Sequence, residues 1–371
     1  MSGQLTDVAG IGIAHHSMGD TGCTVIVAPE SAIAAVDVRG GGPGTRETDL
    51  LEPQNTVQRV HAICLSGGSA YGLATADGVM AALEEHGIGF AVLGPDTPGP
   101  IVPIVPAAVI FDLLVGQADH RPTRESGYSA TCEILRQWPR VSSRDSTARD
   151  AAAQDGTARD GTARDGTAQD GTVQDTQSAV AAHGGIDQLA RNVHTQPALS
   201  GSVGAGCGAT AGVLRGGFGQ ASRKVGPYTI AAGIVANPMG SVIDPSTGKS
   251  WFDSSIAVDI AAFSQLQSPI AKLNTTIGVI VTDAPISKAQ AKRVAMVGHD
   301  GIALAVRPAH APFDGDTLFC LSTGDGQGVD VHVLHELSAA VSYVVAEAIL
   351  DAVVSAESGF GQVSLREIRV Q

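Results

Sequence analysis

The chain has few aromatic residues. They make up 4% of its 371 positions, with only two tryptophans, so a core has to be assembled from Ala, Val, Ile and Leu. Basic residues are also scarce: 23 Lys and Arg stand against 37 Asp and Glu, a formal charge of −14, and they form no cluster. Neutralising phosphates takes a basic face, so neither nucleic acid nor an anionic membrane surface is an expected partner. The five cysteines (Cys23, Cys64, Cys132, Cys207, Cys320) are scattered, with no CxxC or Cys/His ligand spacing. They read as free thiols, and no metal or other cofactor is expected. The apolar stretch at residues 101–115 is broken by Pro103, Pro106 and Asp112, which argues against a membrane span. The first ten residues carry neither the basic start nor the apolar run of a secretory signal, so the expected location is the cytoplasm.

What is present is 43% hydrophobic residue and 46 glycines, a balance suited to closely packed α/β layers in one domain covering residues 1–371. One segment stands apart. Between residues 142 and 178 Asp recurs every fifth position, mostly as Asp-Gly-Thr-Ala-Arg/Gln. That period matches neither helix nor strand, and the segment has too little apolar surface to offset its ordering entropy. It reads as a disordered insertion, and the Asp-x-Asp-x-Asp density of a calcium loop is missing.

Around the insertion, residues 24–27, 33–38 and 62–65 read as strands, the last running through Gly67 and Gly68 into a helix over 69–85. The glycine-rich stretch 201–219 fits tight turns between short strands, or backbone N–H groups converging on a ligand or oxyanion. Strands are expected at 228–236, ending before Asn237, at 276–282 and at 313–322. Ser287 with Gln290 forms a capping box that opens a helix to about Val306, and residues 333–356 place Leu334, Leu337, Val341, Val344, Ala348 and Ala352 on one helical stripe.

Three chemical possibilities emerge. Thr275 follows Asn274, and a Thr hydroxyl becomes a useful nucleophile when a cut in front of it frees its own α-amine as a base. Such an amine has a reference pKa of about 7.7–8.0, so part of it is unprotonated near neutrality. The same hydroxyl can attack the Asn274 carbonyl, so one residue would perform both the cut and later catalysis. By itself Asn-Thr-Thr is a weak signal, since Thr is common at strand starts, and it also reads as a glycosylation sequon. Asp314 and Asp316, two apart in an extended segment, leave the same face and can share a proton; the alternatives are a solvated turn or half of a metal site, against which no His or Glu cluster follows at ligand spacing. Ser66 and Ser69 belong to turn and cap chemistry, because Gly-x-Ser-x-Gly is absent. His61, His299 and His310 sit at no diagnostic spacing.

Five segments together resemble one family: residues 19–24 (GDTGCT), 39–49 (RGGGPGTRETD), 66–73 (SGGSAYGL), 274–278 (NTTIG) and 313–317 (FDGDT). Their order is similar to that of the DmpA aminopeptidase and nylon-oligomer hydrolase group of self-cleaving, N-terminal-nucleophile-like hydrolases. The resemblance implies an αββα sandwich, also found in ornithine acetyltransferases, whose precursor splits into a large chain (1–274) and a small chain (275–371) that stay together. It implies Thr275 as nucleophile, Asp316 as its nearest carboxylate and Asp314 as the group orienting Asp316. Asn237 would be the oxyanion donor and Tyr128 a residue on the leaving-group side. Arg215 stands where the family pattern has Lys, which leaves charge stabilisation rather than proton transfer. The substrate implied is a small linear amide or peptide with a free amino end, and the assembly a homotetramer of paired chains. An acyltransferase of the ornithine acetyltransferase type, or a non-catalytic oligomeric scaffold, would be the alternatives.

Overall fold

The computed structural model describes residues 3–94, 96–138, 199–267 and 274–370; the pentad-repeat segment expected at 142–178 lies outside them. Nine strands form the principal sheet: β1 (Gly12–Ser17), β2 (Gly22–Val38), β3 (Thr45–Arg46), β4 (Arg59–Ser66), β5 (Ala107–Val109), β6 (Gly217–Val225), β7 (Tyr228–Ala236), β8 (Ile277–Thr282) and β9 (Thr317–Ser322). Their order is β6-β7-β8-β9-β2-β4-β5-β3, with β1 also on β2. Four long helices cover them: α1 (Thr75–Glu85), α2 (Arg124–Gln137), α3 (Lys288–Ala305) and α4 (Val331–Ser355).

Strand alternation separates the buried side chains into three cores. In β2, Val25 and Val27 face one way with Ala62 and Cys64 of β4, packing under Ala76 and Val79 of α1 and Ala130 and Ile134 of α2. Their neighbours Ile26, Ala28, Ile63 and Leu65 face the opposite way and meet Val279, Val281, Phe319 and Val235 in a central core. On the far side Ile230, Ile280, Leu318 and Cys320 pack against Val294 and Ile302 of α3 and Val341 and Val344 of α4. Three cores between four layers make an αββα sandwich. Truncating a central residue such as Phe319 to Ala is expected to cost about 3–5 kcal/mol.

β2 belongs to both halves, and this explains one difference from the sequence reading. Residues 24–27 and 33–38 are two ends of a single 17-residue strand, whose register shifts between Val27 and Ala32. The exposed Glu30 and left-handed Ser31 at that bulge interrupt the apolar pattern without ending the strand. The helix expected over 69–85 is a 3₁₀ turn, Ser69–Ala74, leading into α1, and the residue capping it is Gly68 in the left-handed region rather than a serine side chain. The capping box of Ser287 and Gln290 forms as expected. Although α4 is long and apolar enough to cross a membrane by composition, its stripe from Leu337 to Val353 is packed on α3, β6 and β7.

The glycines of the 201–219 stretch serve close packing. A Cβ on Gly219 would lie 2.1 Å from the Ala348 carbonyl oxygen, and one on Gly201 would lie 2.3 Å from that of Ser355, so α4 rests directly on the backbone there. That matches the structural alternative, with the N–H groups of Gly201 and Phe218 spent on each other's carbonyls.

Candidate active site

β8 and β9 are parallel neighbours, with Ile277 opposite Thr317, so the residues just before each strand come together. Asn274 pairs with Asp314 in the same parallel sense, the Gly315 N–H donates to the Asn274 carbonyl at 3.2 Å, and the Thr317 N–H donates to that of Thr276 at 3.0 Å. β7 runs antiparallel to β8 and therefore ends where β8 begins. There the Asn237 main-chain carbonyl accepts the Thr275 N–H at 2.7 Å.

Thr275 is buried, and its hydroxyl donates to the Asn274 carbonyl, the same oxygen that Gly315 addresses. The Asn274 carboxamide donates to the Thr210 carbonyl at 3.4 Å, the Thr210 hydroxyl at 3.3 Å and the Pro238 carbonyl at 3.2 Å. Thr210 also fixes Asn237: its N–H donates to Asn237 Oδ1 at 2.8 Å, leaving Nδ2 to donate to the Phe111 carbonyl at 3.4 Å. The group of Asn237 that meets Thr275 here is thus its main-chain oxygen, while its carboxamide spans Thr210 and Phe111.

The two aspartates are both buried but face different donors. Asp316 Oδ1 accepts the Thr276 N–H at 2.7 Å, and its Oδ2 accepts from His310, at 2.7 Å from ring Nδ1 and 3.2 Å from the backbone. Asp314 accepts the N–H of Met239 at 3.1 Å and of Ala311 at 3.0 Å. Burial and the neighbouring Asp316 carboxylate raise the pKa of Asp314, opposed by those two N–H groups and by His310. The Asp314 bonds also fold residues 311–314 into a turn, so the strand expected over 313–322 begins only at Thr317.

The glycine run explains how the backbone reaches this loop. The N–H groups of Arg39 and Gly42 donate to the carbonyls of Asp316 (2.9 Å) and Asp314 (2.8 Å). A Cβ on Gly40 would stand 2.2 Å from the Asp314 oxygen, and one on Gly41 would stand 2.4 Å from that of Pro312. Gly-Gly-Gly therefore forms the bed on which Asp-Gly-Asp lies.

Two expected site residues are engaged elsewhere. Tyr128, on α2, donates its hydroxyl to Glu85 at the end of α1 at 2.6 Å, a bond that raises its pKa. Arg215 is buried, but its guanidinium holds the main-chain carbonyls of Cys207 and Glu357. Neither makes a hydrogen bond with Thr275, Asp314 or Asp316. In turn, the structure brings to the site Thr210, Gly315 and His310, which spacing alone does not mark.

The chain is a hydrolase acting on amide bonds, as its family and relatives show. The profile of peptidase family S58 matches residues 3–137 and 151–365, and the chain belongs to that family. An uncharacterized aminopeptidase of Mycobacterium leprae is 42% identical over 389 residues, covering 96% of this chain and 91% of its own. A 6-aminohexanoate-oligomer endohydrolase of Paenarthrobacter ureafaciens is 28% identical over 334 residues, covering 85% of this chain and 73% of its own. Among solved structures, a Burkholderia sp. beta-aminopeptidase shares the fold with a TM-score of 0.63 at 18% identity, covering 99% of this chain and 95% of its own. The L-aminopeptidase D-Ala-esterase/amidase of Ochrobactrum anthropi gives 0.62 at 18% identity, covering 100% and 92%.

Proposed function

We propose that this hydrolase matures by cutting itself between Asn274 and Thr275 and then uses Thr275 as an N-terminal nucleophile on linear amides or peptides with a free amino end. The observation that carries this reading is the convergence of the Thr275 hydroxyl and the Gly315 N–H on the Asn274 carbonyl oxygen. Attack of Oγ1 on that carbonyl carbon moves charge onto an oxygen that already has a backbone donor. Collapse breaks the C–N bond, the Thr275 nitrogen leaves with a proton as a free amine, and Asn274 is held as an ester on Oγ1. Water then hydrolyses the ester, giving the Asn274 carboxylate and a free Thr275.

The new amine has a holder already in place, because the Asn237 carbonyl that accepts the Thr275 N–H can accept from an amine as well. In turnover that amine takes the hydroxyl proton as Oγ1 attacks the substrate carbonyl, and it returns the proton to the leaving nitrogen. Water resolves the acyl-threonine. Asp316, tied to the Thr276 N–H, fixes the backbone beside the nucleophile, and Asp314 holds the loop that carries Asp316. The names of the relatives, aminopeptidase and oligomer endohydrolase, support an amide substrate. Small linear substrates, a cytoplasmic location and a homotetramer of paired chains remain part of the same proposal.

The test is a denaturing gel with N-terminal sequencing. The purified protein should give chains of 274 and 97 residues, the shorter one starting at Thr275, and Thr275→Ala should stay a single chain of 371 residues. A Thr275→Ala protein that still splits at this bond overturns the reading. Adding ornithine to the acylated enzyme separates hydrolysis from acyl transfer.

A further inference from the structure

The structure assigns to His310 the role of a positioning residue that holds Asp316 by its Nδ1–H so that Oδ1 stays on the backbone beside Thr275. This deepens the functional reading above and rests on it.

His310 makes a built contact rather than an incidental one. Ring Nδ1 and backbone N both reach Asp316 Oδ2, while Oδ1 is left to the Thr276 N–H. Because Asp316 is a carboxylate with only acceptors to offer, Nδ1 must carry the proton. To point both donors at one oxygen, His310 takes the left-handed backbone conformation, φ 55°, which side-chain-bearing residues rarely adopt.

The ring is in turn held by a second histidine. His299 of α3, fully buried, lies edge-on to it with ring centroids 4.9 Å apart, and its Nε2–H donates to the Asp37 carbonyl at 3.0 Å. Burial pushes His299 down to about 4, so it stays neutral near pH 7 and adds no charge behind His310. The charged groups around the pair are Asp316 and Asp314 in the loop before β9, and Asp37 and Arg39 at the end of β2. Lys292 reaches Asp37 at 3.5 Å. Nothing else supplies the Asp316 Oδ2 with a side-chain donor among the described residues.

Two isologous substitutions separate positioning from mere packing. In His310→Asn the amide nitrogen stands near the position of Nδ1 and can donate to Asp316; in His310→Gln the amide reaches toward the position of Nε2 and the donor to Asp316 is lost. Self-cleavage in His310→Asn should stay within about threefold of wild type, whereas His310→Gln should slow it by about 10- to 100-fold. In the matured enzyme the loss should fall on kcat rather than KM. Asn and Gln variants that behave alike, both active or both inert, overturn the assignment. If the wild-type short chain does not begin at Thr275, the functional reading fails irrespective of these variants. If it does begin there and the two variants are indistinguishable, only the positioning role falls.

Discussion

The main-chain carbonyl of Asn237 accepts the Thr275 N–H at 2.7 Å, two residues beyond the last ladder pair of β7 and β8, Val235 with Ile277. The bond a strand would make in any sheet here reaches the nitrogen that cleavage would turn into a base. The site thus extends regular pairing instead of interrupting it.

Asn274 should matter for maturation and little for turnover. Its carboxamide has three acceptors around it, and it sits on the acyl side of the proposed cut. Asn274→Ala is expected to slow self-cleavage by about tenfold or more through lost orientation of the scissile bond. Once matured, the variant should hydrolyse amides with a kcat within about twofold of wild type. Time-resolved gels and steady-state kinetics on the fully split fraction check both halves.

Gly315 has no room for a side chain. An added Cβ would lie 2.9 Å from Thr275 Oγ1, 3.0 Å from its Cγ2 and 2.7 Å from the Gly42 oxygen. Gly315→Ala should fold yet accumulate as precursor, with cleavage slowed about 10²-fold as the hydroxyl and the N–H leave their common oxygen. Gly40→Ala meets backbone instead of a side chain, so its main effect should be a lower melting temperature, by several degrees, as for other overpacked positions.

Asp316→Asn keeps an acceptor for the Thr276 N–H but turns an amide toward the two N–H groups of His310. Donor then faces donor. Cleavage and hydrolysis should both fall by at least about 10²-fold, whereas Asp314→Asn, whose partners are two main-chain N–H groups, should fall less. Parallel rate measurements on the two variants decide the order.

Buried ionisable groups also set a pH dependence of stability. Burial lowers His15 and His299 from 6.5 to about 4, so unfolded chains bind these protons first and stability is lost as pH falls from 6.5 toward 4. Asp112, buried and bonded to the Thr21 hydroxyl and the Gly68 N–H, is raised from 3.8 to about 6. Its sign is opposite: the stability it contributes is present at low pH and is lost as pH rises from 3.8 through 6. Asp112→Asn keeps both bonds in reach, since the Thr21 hydroxyl can turn to accept. The variant should therefore gain stability relative to wild type between pH 4 and 7, by about 1–3 kcal/mol, and lose it more steeply on acidification. Denaturant melts across that range measure it.

Much of the fold was legible because residues 24–27, 62–65, 228–236 and 277–282 are short, nearly continuous apolar runs of strand length, and because the cap at Ser287 is local chemistry. The αββα layering itself came from the resemblance; periodicity alone says only that strands and helices mix. The site was legible as a list. The segments 39–49, 274–278 and 313–317 were all marked, but why they meet was not, since it depends on a parallel pairing and on glycine backbones in contact. His310 could not be singled out, because its reach to Asp316 depends on a left-handed turn that no side-chain spacing encodes. Tyr128 and Arg215 illustrate the converse: each fits a motif, yet each has its polar atoms drawn to a nearer partner, Glu85 in one case and the Cys207 and Glu357 carbonyls in the other.

The sheet order places β8 and β9 between β7 and β2. A fragment starting at residue 275 would thus be an inner slat of the sheet, laced along both edges to the longer piece and clasped by α4 lying on β6 and β7. Such a nicked molecule has no hinge along which to come apart: to part its halves is to dismantle two hydrogen-bonded seams and the cores on either face. It should dilute without dissociating and melt in a single transition, like a protein that had never been cut.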